Sequence, residues 1–333
     1  MDHPPLPRCH GLIAGWRFDG AGAQPMSAAA VEGWIATGMA EPAWLHLDLV
    51  DARARLFIQA LAALPDSARA ALVDAEEATR IEMAEGALFG CLPDTHYDAD
   101  RPDLPPIGML HFALLPGLLV TARRHPLRGA HAVMQSLSAT TPPEALAATL
   151  HASLLEFSRL IAALAHRVAR IEDQLLRPGA EAPRDALAAL RREALRLART
   201  IDPLTEAMEE LAEEEETPAW LPALATPLLR EARRARAASR ALAVLQDRGR
   251  IAQDQAAALA TEETNRRLLV LSVISAAMLP ASLVAGIFGM NVGGVPGVPA
   301  DGTEAGWGFA MAMGCIGASV VGVLAALRLG RLL

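Results

Sequence analysis

The stretch Leu268–Met290, LLVLSVISAAMLPASLVAGIFGM, contains no Asp, Glu, Lys, Arg or His, and Asn291 follows it directly. A second run, Trp307–Leu327, is equally free of charge. At about 1.5 Å rise per residue, each is long enough as a helix to cross a hydrocarbon core of about 30 Å. The loop between them is rich in Gly and Pro. Everything before Leu268 is charged and patterned like a globular protein, so the expected architecture is a large head carried on a C-terminal two-helix transmembrane hairpin.

Charge at the ends of the runs sets the expected orientation. Arg266 and Arg267 precede the first span and Arg328 and Arg331 follow the second, whereas the loop carries only Asp301 and Glu304. The positive-inside rule then puts both termini in the cytoplasm and Asn291 on the far side. Trp307 reads as an interfacial anchor. Met1-Asp2-His3-Pro4-Pro5 shows no basic segment followed by an apolar one, so no cleavable signal is expected. Cys9, Cys91 and Cys315 lie far apart without metal-ligand spacing, which fits buried thiols in a reducing compartment better than a disulfide framework.

The rest of the chain divides by texture. Residues 1–140 mix short apolar runs near residues 11–16, 44–49, 109–114 and 118–122, read as strands, with helical stretches near 27–39 and 51–64. That alternation predicts an α/β head domain. Residues 141–266 turn to Ala, Leu and Arg and predict long stalk helices: about 144–176, then 183–215 with Pro203 expected to kink it, then one from Pro222 or Pro227 into the membrane. Residues 267–333 form the hairpin, with spans near 268–290 and 307–327.

Net charge is −8 and the chain has no lysine, which argues against a nucleic-acid partner and leaves no phosphate-loop or Schiff-base lysine. No Gly-x-Ser-x-Gly, His-Glu-x-x-His or Cys pair occurs, so neither an enzyme nor a nucleotide-driven pump is expected. No cofactor is expected either.

Counting back from Gly289 in steps of 3 and 4 places Gly286, Ser282, Leu279, Ser275, Ser272, Leu268 and Asn265 on one face of the first span. The small and hydroxyl-bearing residues gather there, while the other faces are Leu, Val, Ile, Ala, Met and Phe. Two readings stay open. Such a stripe packs helix on helix, or it lines an aqueous conduit when several copies surround an axis. A conduit needs a symmetric oligomer, because one hairpin encloses nothing. A ring of Asn291 carboxamides at its mouth would hold a hydrated cation through the water shell.

Gly289-Met290-Asn291 at the end of the first of two C-terminal spans resembles the signature of the CorA superfamily of divalent metal cation transporters. Val292-Gly293-Gly294-Val295-Pro296-Gly297 is similar to the loop of its ZntB branch, and the acidic Met-Pro-Glu-Leu type loop usual in the magnesium branch is missing. Thr264-Asn265-Arg266-Arg267 and the head segment Leu119–Leu127 also look like the family. The resemblance implies a homopentameric funnel in a bacterial inner membrane, with an α+β cytoplasmic head layered α/β/α and with Gly289, Met290 and Asn291 as the selectivity filter. It implies a pore lined by Asn265, Leu268, Ser272, Ser275, Leu279, Ser282 and Gly286, through which Zn²⁺ passes. The expected partners are copies of the chain, the bilayer and divalent ions. Alternatives are a Mg²⁺/Co²⁺ channel of the same fold, or a sensor or interaction protein that the hairpin only tethers. No Asp, Glu or His lies in the spans, so proton coupling would need the hydrated ion itself or groups outside the membrane.

Three other groupings have bland readings beside functional ones. His96 with Asp94, Asp98, Asp100 and Asp103 is a dense but irregularly spaced set of zinc-type ligands in a Pro-rich loop. His46 and His111 read as strand residues with structural partners. Glu209, Glu210 and Glu213–Glu216, like the Arg230–Arg240 series, read first as solvated helix faces.

Overall fold

The computed structural model describes residues 9–76, 78–96, 107–177, 183–213, 220, 222–289 and 306–329. The chain divides into two compact units, Met1–Gln253 and Asp254–Leu333.

The first unit is built on a seven-stranded mixed sheet. Its strands are β1 (Leu12–Phe18), β2 (Ala23–Met26), β3 (Ala43–Asp48), β4 (Arg80–Ala84), β5 (Ala87–Thr95), β6 (Ile107–Leu115) and β7 (Leu118–Arg123), in the order β2-β1-β3-β7-β6-β5-β4. Only β3 and β7 run parallel. The crossover joining them carries α2 (Ala52–Ala60), α3 (Asp66–Val73) and the hairpins β4–β5 and β6–β7. With α1 (Ala28–Ala36), α2 and α3 cover one face, burying Val31, Ala54, Phe57, Ile58 and Leu72 against Leu45, Leu47 and Val120.

The opposite face packs against long helices. Trp44, Phe112 and Leu119 meet Leu146, Leu150 and Leu154 of α5 (Pro142–Leu175), Leu204 and Met208 of α6 (Arg184–Glu213), and the beginning of α7 (Pro222–Phe288). Alternation along β3 makes the two layers possible: residues 43, 45 and 47 point to one core and residue 44 to the other. Trp44 is fully buried and stacks on Trp16 at 4.6 Å between ring centroids. A short helix, α4 (Arg128–Gln135), links β7 to α5.

Local chemistry explains the helix starts. Ser27 and Asp51 accept hydrogen bonds from Ala30 N and Arg53 N at the openings of α1 and α2. Thr141 caps α5 with Pro142 in the first turn, and Glu144 reaches back to the Thr140 N–H at 2.8 Å. The helix α6 runs through Pro203, whose ring removes the bond to the Arg199 carbonyl.

Two assignments differ from the sequence reading. The loop expected around Asp94 is instead β5, a strand buried along its whole length. Pro93 disguised it, because proline cannot donate to a ladder. It is tolerated because β4 pairs only with Ala87–Cys91, leaving Pro93 with β6 alone as partner. The strand β4 and helices α3 and α4 also escaped the pattern, being short elements whose burial is set by neighbours distant in sequence.

The second unit holds the remainder of α7 and α8 (Gly306–Leu329). The helix α7 is continuous over 67 residues, passing Gly249 and Pro280.

Candidate permeation path

Among the described residues, three helices are long and apolar enough to cross a membrane: α5, the C-terminal part of α7, and α8. Burial separates them. The most apolar window of α5 is 44% buried in the head, whereas those of α7 and α8 are 0% buried. Leu279, Leu283, Met278 and Phe309 stand 73%, 63%, 62% and 75% exposed, an array that water would strongly disfavour and that a lipid or protein environment must cover.

Exposure along α7 has a direction. Asn265, Leu268, Ser272, Ser275, Leu279, Ser282, Gly286 and Gly289 are all exposed. The half-covered positions are Val273, Ala277, Pro280, Ala281, Val284 and Phe288. At about 100° per residue, the centre of that covered row lies roughly 180° around the helix from the Ser/Gly stripe. Within one chain, therefore, the stripe lies at the middle of an uncovered arc that also carries Leu271, Ile274, Met278, Leu283 and Ile287. The covered row carries no polarity signal, so the sequence pattern passed over it.

At its far end the helix closes with Gly289, whose N–H donates to the Ala285 carbonyl at 2.9 Å. A Cβ at Gly289 would lie 3.1 Å from that carbonyl oxygen, so glycine suits the close turn. Met290 and Asn291, the other two proposed filter residues, lie outside the described residues, as do Asp301, Glu304 and Arg331. At the near end, Thr261 and Thr264 return their hydroxyls to the Ala257 and Ala260 carbonyls, and Arg267 pairs with Glu263 one turn earlier. Arg328 occupies the last turn of α8.

The head candidates resolve into structural roles. Asp94 is fully buried, and its carboxylate accepts from Thr95 N at 2.7 Å and from Gly129 N and Ala130 N at 3.0 Å. It caps α4 from a distant strand. Burial pushes its pKa up to about 6 against the pull of those three N–H donors. His96 stacks on His125 at 5.3 Å, while Asp98, Asp100 and Asp103 lie outside the described residues. Among the described residues, no group of three or more His, Cys, Asp or Glu is placed to hold a metal ion.

His111 is buried with Nδ1 3.0 Å from the Ala71 carbonyl and Nε2 3.1 Å from an Arg124 N–H. The carbonyl can only accept and the guanidinium only donate, which fixes the tautomer with its proton on Nδ1. Glu209 pairs with Arg236 at 2.7 Å, joining one acidic residue of α6 to the arginine series of α7. Glu214–Glu216 lie outside the described residues.

The family described as CorA-like Mg²⁺ transporter protein matches residues 40–331. The chain is similar to the zinc transport protein ZntB of Pectobacterium atrosepticum, 28% identical over a 273-residue match that covers 77% of this chain and 79% of that protein. Among solved structures, the full-length CmaX protein superposes with a TM-score of 0.76 at 21% identity, covering 98% of this chain and all of that one (100%). The complete CorA magnesium transporter of Methanocaldococcus jannaschii gives 0.75 at 13% identity, covering 95% and 96%. At these identities the two structures speak for the fold alone.

Proposed function

This chain belongs to the family of CorA-like Mg²⁺ transporter proteins, divalent cation transporters rather than enzymes, and from that premise we propose that it moves Zn²⁺ across a bacterial inner membrane. The observation that carries the reading is the row from Asn265 to Gly289, Ser and Gly broken only by Leu268 and Leu279, on a segment free of charge from Leu268 onward and opposite the half-covered row. Five copies around an axis would turn these stripes inward to form a conduit.

A hydrated ion would be captured by a ring of Asn291 carboxamides, with Gly289 and Met290 shaping the turn that presents it. It would then descend past Ser282, Ser275 and Ser272 to Asn265. Neutral oxygens suit this task because they replace outer hydration without stripping the first shell, which a divalent ion gives up reluctantly. Leu279 and Leu268 interrupt the polar series and would narrow the path by dewetting. Both chain ends would then be cytoplasmic, with Arg266, Arg267 and Arg328 on that side. The head would bias opening by displacing α7, since one helix belongs to both units.

The zinc assignment rests on the likeness to a protein named for zinc transport and on the Val292–Gly297 loop. A Mg²⁺/Co²⁺ channel of the same fold is the second reading, favoured by a filter that has no nitrogen or sulfur ligand to select zinc. Flux in proteoliposomes separates the readings. The proposal expects Zn²⁺ influx that exceeds Mg²⁺ influx and falls at least about tenfold on Asn291→Ala. Equal or greater Mg²⁺ flux would support the second reading, and absence of flux for Zn²⁺, Mg²⁺ and Co²⁺ alike would leave the hairpin a tether.

A further inference from the structure

The cavity between the end of β7 and α4 lies in the head, has a volume of about 380 Å³, and plays no part in the permeation path. Its polar lining is basic: Arg123, Arg128 and His131. Ile13, Leu127 and Met134 supply apolar wall. We propose that this cavity binds a small organic carboxylate, its anionic head held by Arg123, Arg128 and His131 and its short apolar body against those walls.

A buried histidine one step along the sheet from the lining residue Arg123 has a ring nitrogen that the protein leaves unpaired. His46 pairs in register with Thr121, and Asp48 with Arg123, so His46 lies one same-face step along the sheet from the cavity's Arg123. Its ring is fully buried, and its Nε2 has no hydrogen-bond partner. Thr121 Oγ1 takes a hydrogen bond from Trp44 Nε1 at 2.8 Å. The single hydroxyl proton of Thr121 has two acceptors in reach: His46 Nδ1 at 2.8 Å and the Leu45 carbonyl at 3.4 Å. The His46 contact forms with either ring tautomer: the hydroxyl donates to Nδ1, or Nδ1–H donates to Oγ1 while the hydroxyl turns to the Leu45 carbonyl. In both cases Nε2 is an interior polar atom that the protein leaves unpaired, in a fold where such groups are ordinarily paired.

Charge points the same way. Burial, with Arg123 nearby, holds the His46 pKa down at about 3, so the ring stays neutral near a guanidinium. The field that disfavours a second cation favours an anion. Burial also lowers the pKa of Arg123, against the opposing pull of the Asp48 carboxylate. His131 Nε2 lies 2.9 Å from the Gln135 side-chain amide nitrogen, which donates to it and leaves Nδ1–H free to face a ligand. The cavity volume falls in the ordinary range for small-ligand sites, and the mixture of apolar wall and few polar groups is what such sites present.

Saturation-transfer NMR on the full chain in nanodiscs, with butyrate as probe and butyramide as its neutral isostere, tests the proposal. Butyrate is expected to bind with a Kd on the order of 1 mM and butyramide not to bind measurably. Arg123→Gln and His131→Leu should each weaken butyrate about tenfold, while Arg159→Gln, an exposed basic residue of α5, should not. Two variants are used so that a failure of one to fold leaves the other informative. Butyrate binding that survives both substitutions, binding lost on Arg159→Gln, equal binding of butyramide, or inorganic phosphate displacing butyrate at a lower concentration than butyrate itself needs would each overturn it.

Discussion

Asp94 holds a carboxylate in the interior of the head with three backbone N–H groups converging on it, two of them from the first turn of α4. Removing it leaves those donors buried and unpaired, so Asp94→Ala should cost about 1–3 kcal/mol, measured as a shift in denaturant midpoint. The same residue gives the head a pH signature. Its folded pKa is raised to about 6 from 3.8, so the native state retains a proton that the unfolded chain releases. Stability from this group is therefore greatest in acid and declines as pH rises from about 4 through about 6. Unfolding curves between those values should show the decline in the wild type, and Asp94→Asn should flatten it. An unchanged slope in Asp94→Asn would assign the titration to another group.

At the scale of elements, Gly90 is the point where β5 can accept β4. Its φ is +155°, and a Cβ built there would lie 2.1 Å from the Arg80 carbonyl oxygen, a backbone atom that cannot turn aside. Gly90→Ala should detach the β4 edge and destabilise the head by about 2–4 kcal/mol, seen as faster hydrogen exchange over Arg80–Ala84 before any change in β6 and β7. Much at this scale was legible in the chain. The long helices announced themselves by 3.6-residue periodicity and Pro boundaries, and β3, β6 and β7 by apolar runs bounded by turn residues. The strand β5 did not, because Gly90 and Pro93 are strand breakers made acceptable only by where β4 begins and ends. Asp94 was placed in a loop for the same reason, and its capping of a helix 35 residues away leaves no local trace in the sequence. The Ser/Gly stripe of α7 was readable because periodicity alone groups it. The covered row opposite was not, being Val, Ala and Pro among other apolar residues.

At the scale of the whole molecule, the account requires copies of the chain to assemble around a common axis, since the stripe of one helix encloses no passage. Native mass spectrometry of the protein released from detergent should give about five times the 35.2 kDa chain, and a monomer or dimer would leave no conduit to line. Composition fits such an assembly: the exposed apolar array on α7 and α8 is matched by basic residues at one end only, Arg266 and Arg267 before the first span and Arg328 near the end of the second. The central claim, that the stripe faces water, is tested most directly by cysteine accessibility in membranes. Cys9 and Cys91 are buried, so Cys315→Ser supplies a quiet background. In that background Ser272→Cys, Ser275→Cys and Ser282→Cys should react with a hydrophilic, membrane-impermeant thiol reagent, and Zn²⁺ should slow the reaction, while Val273→Cys and Ala277→Cys stay unmodified. Reaction at Val273→Cys and Ala277→Cys with silence along the serines would contradict the account.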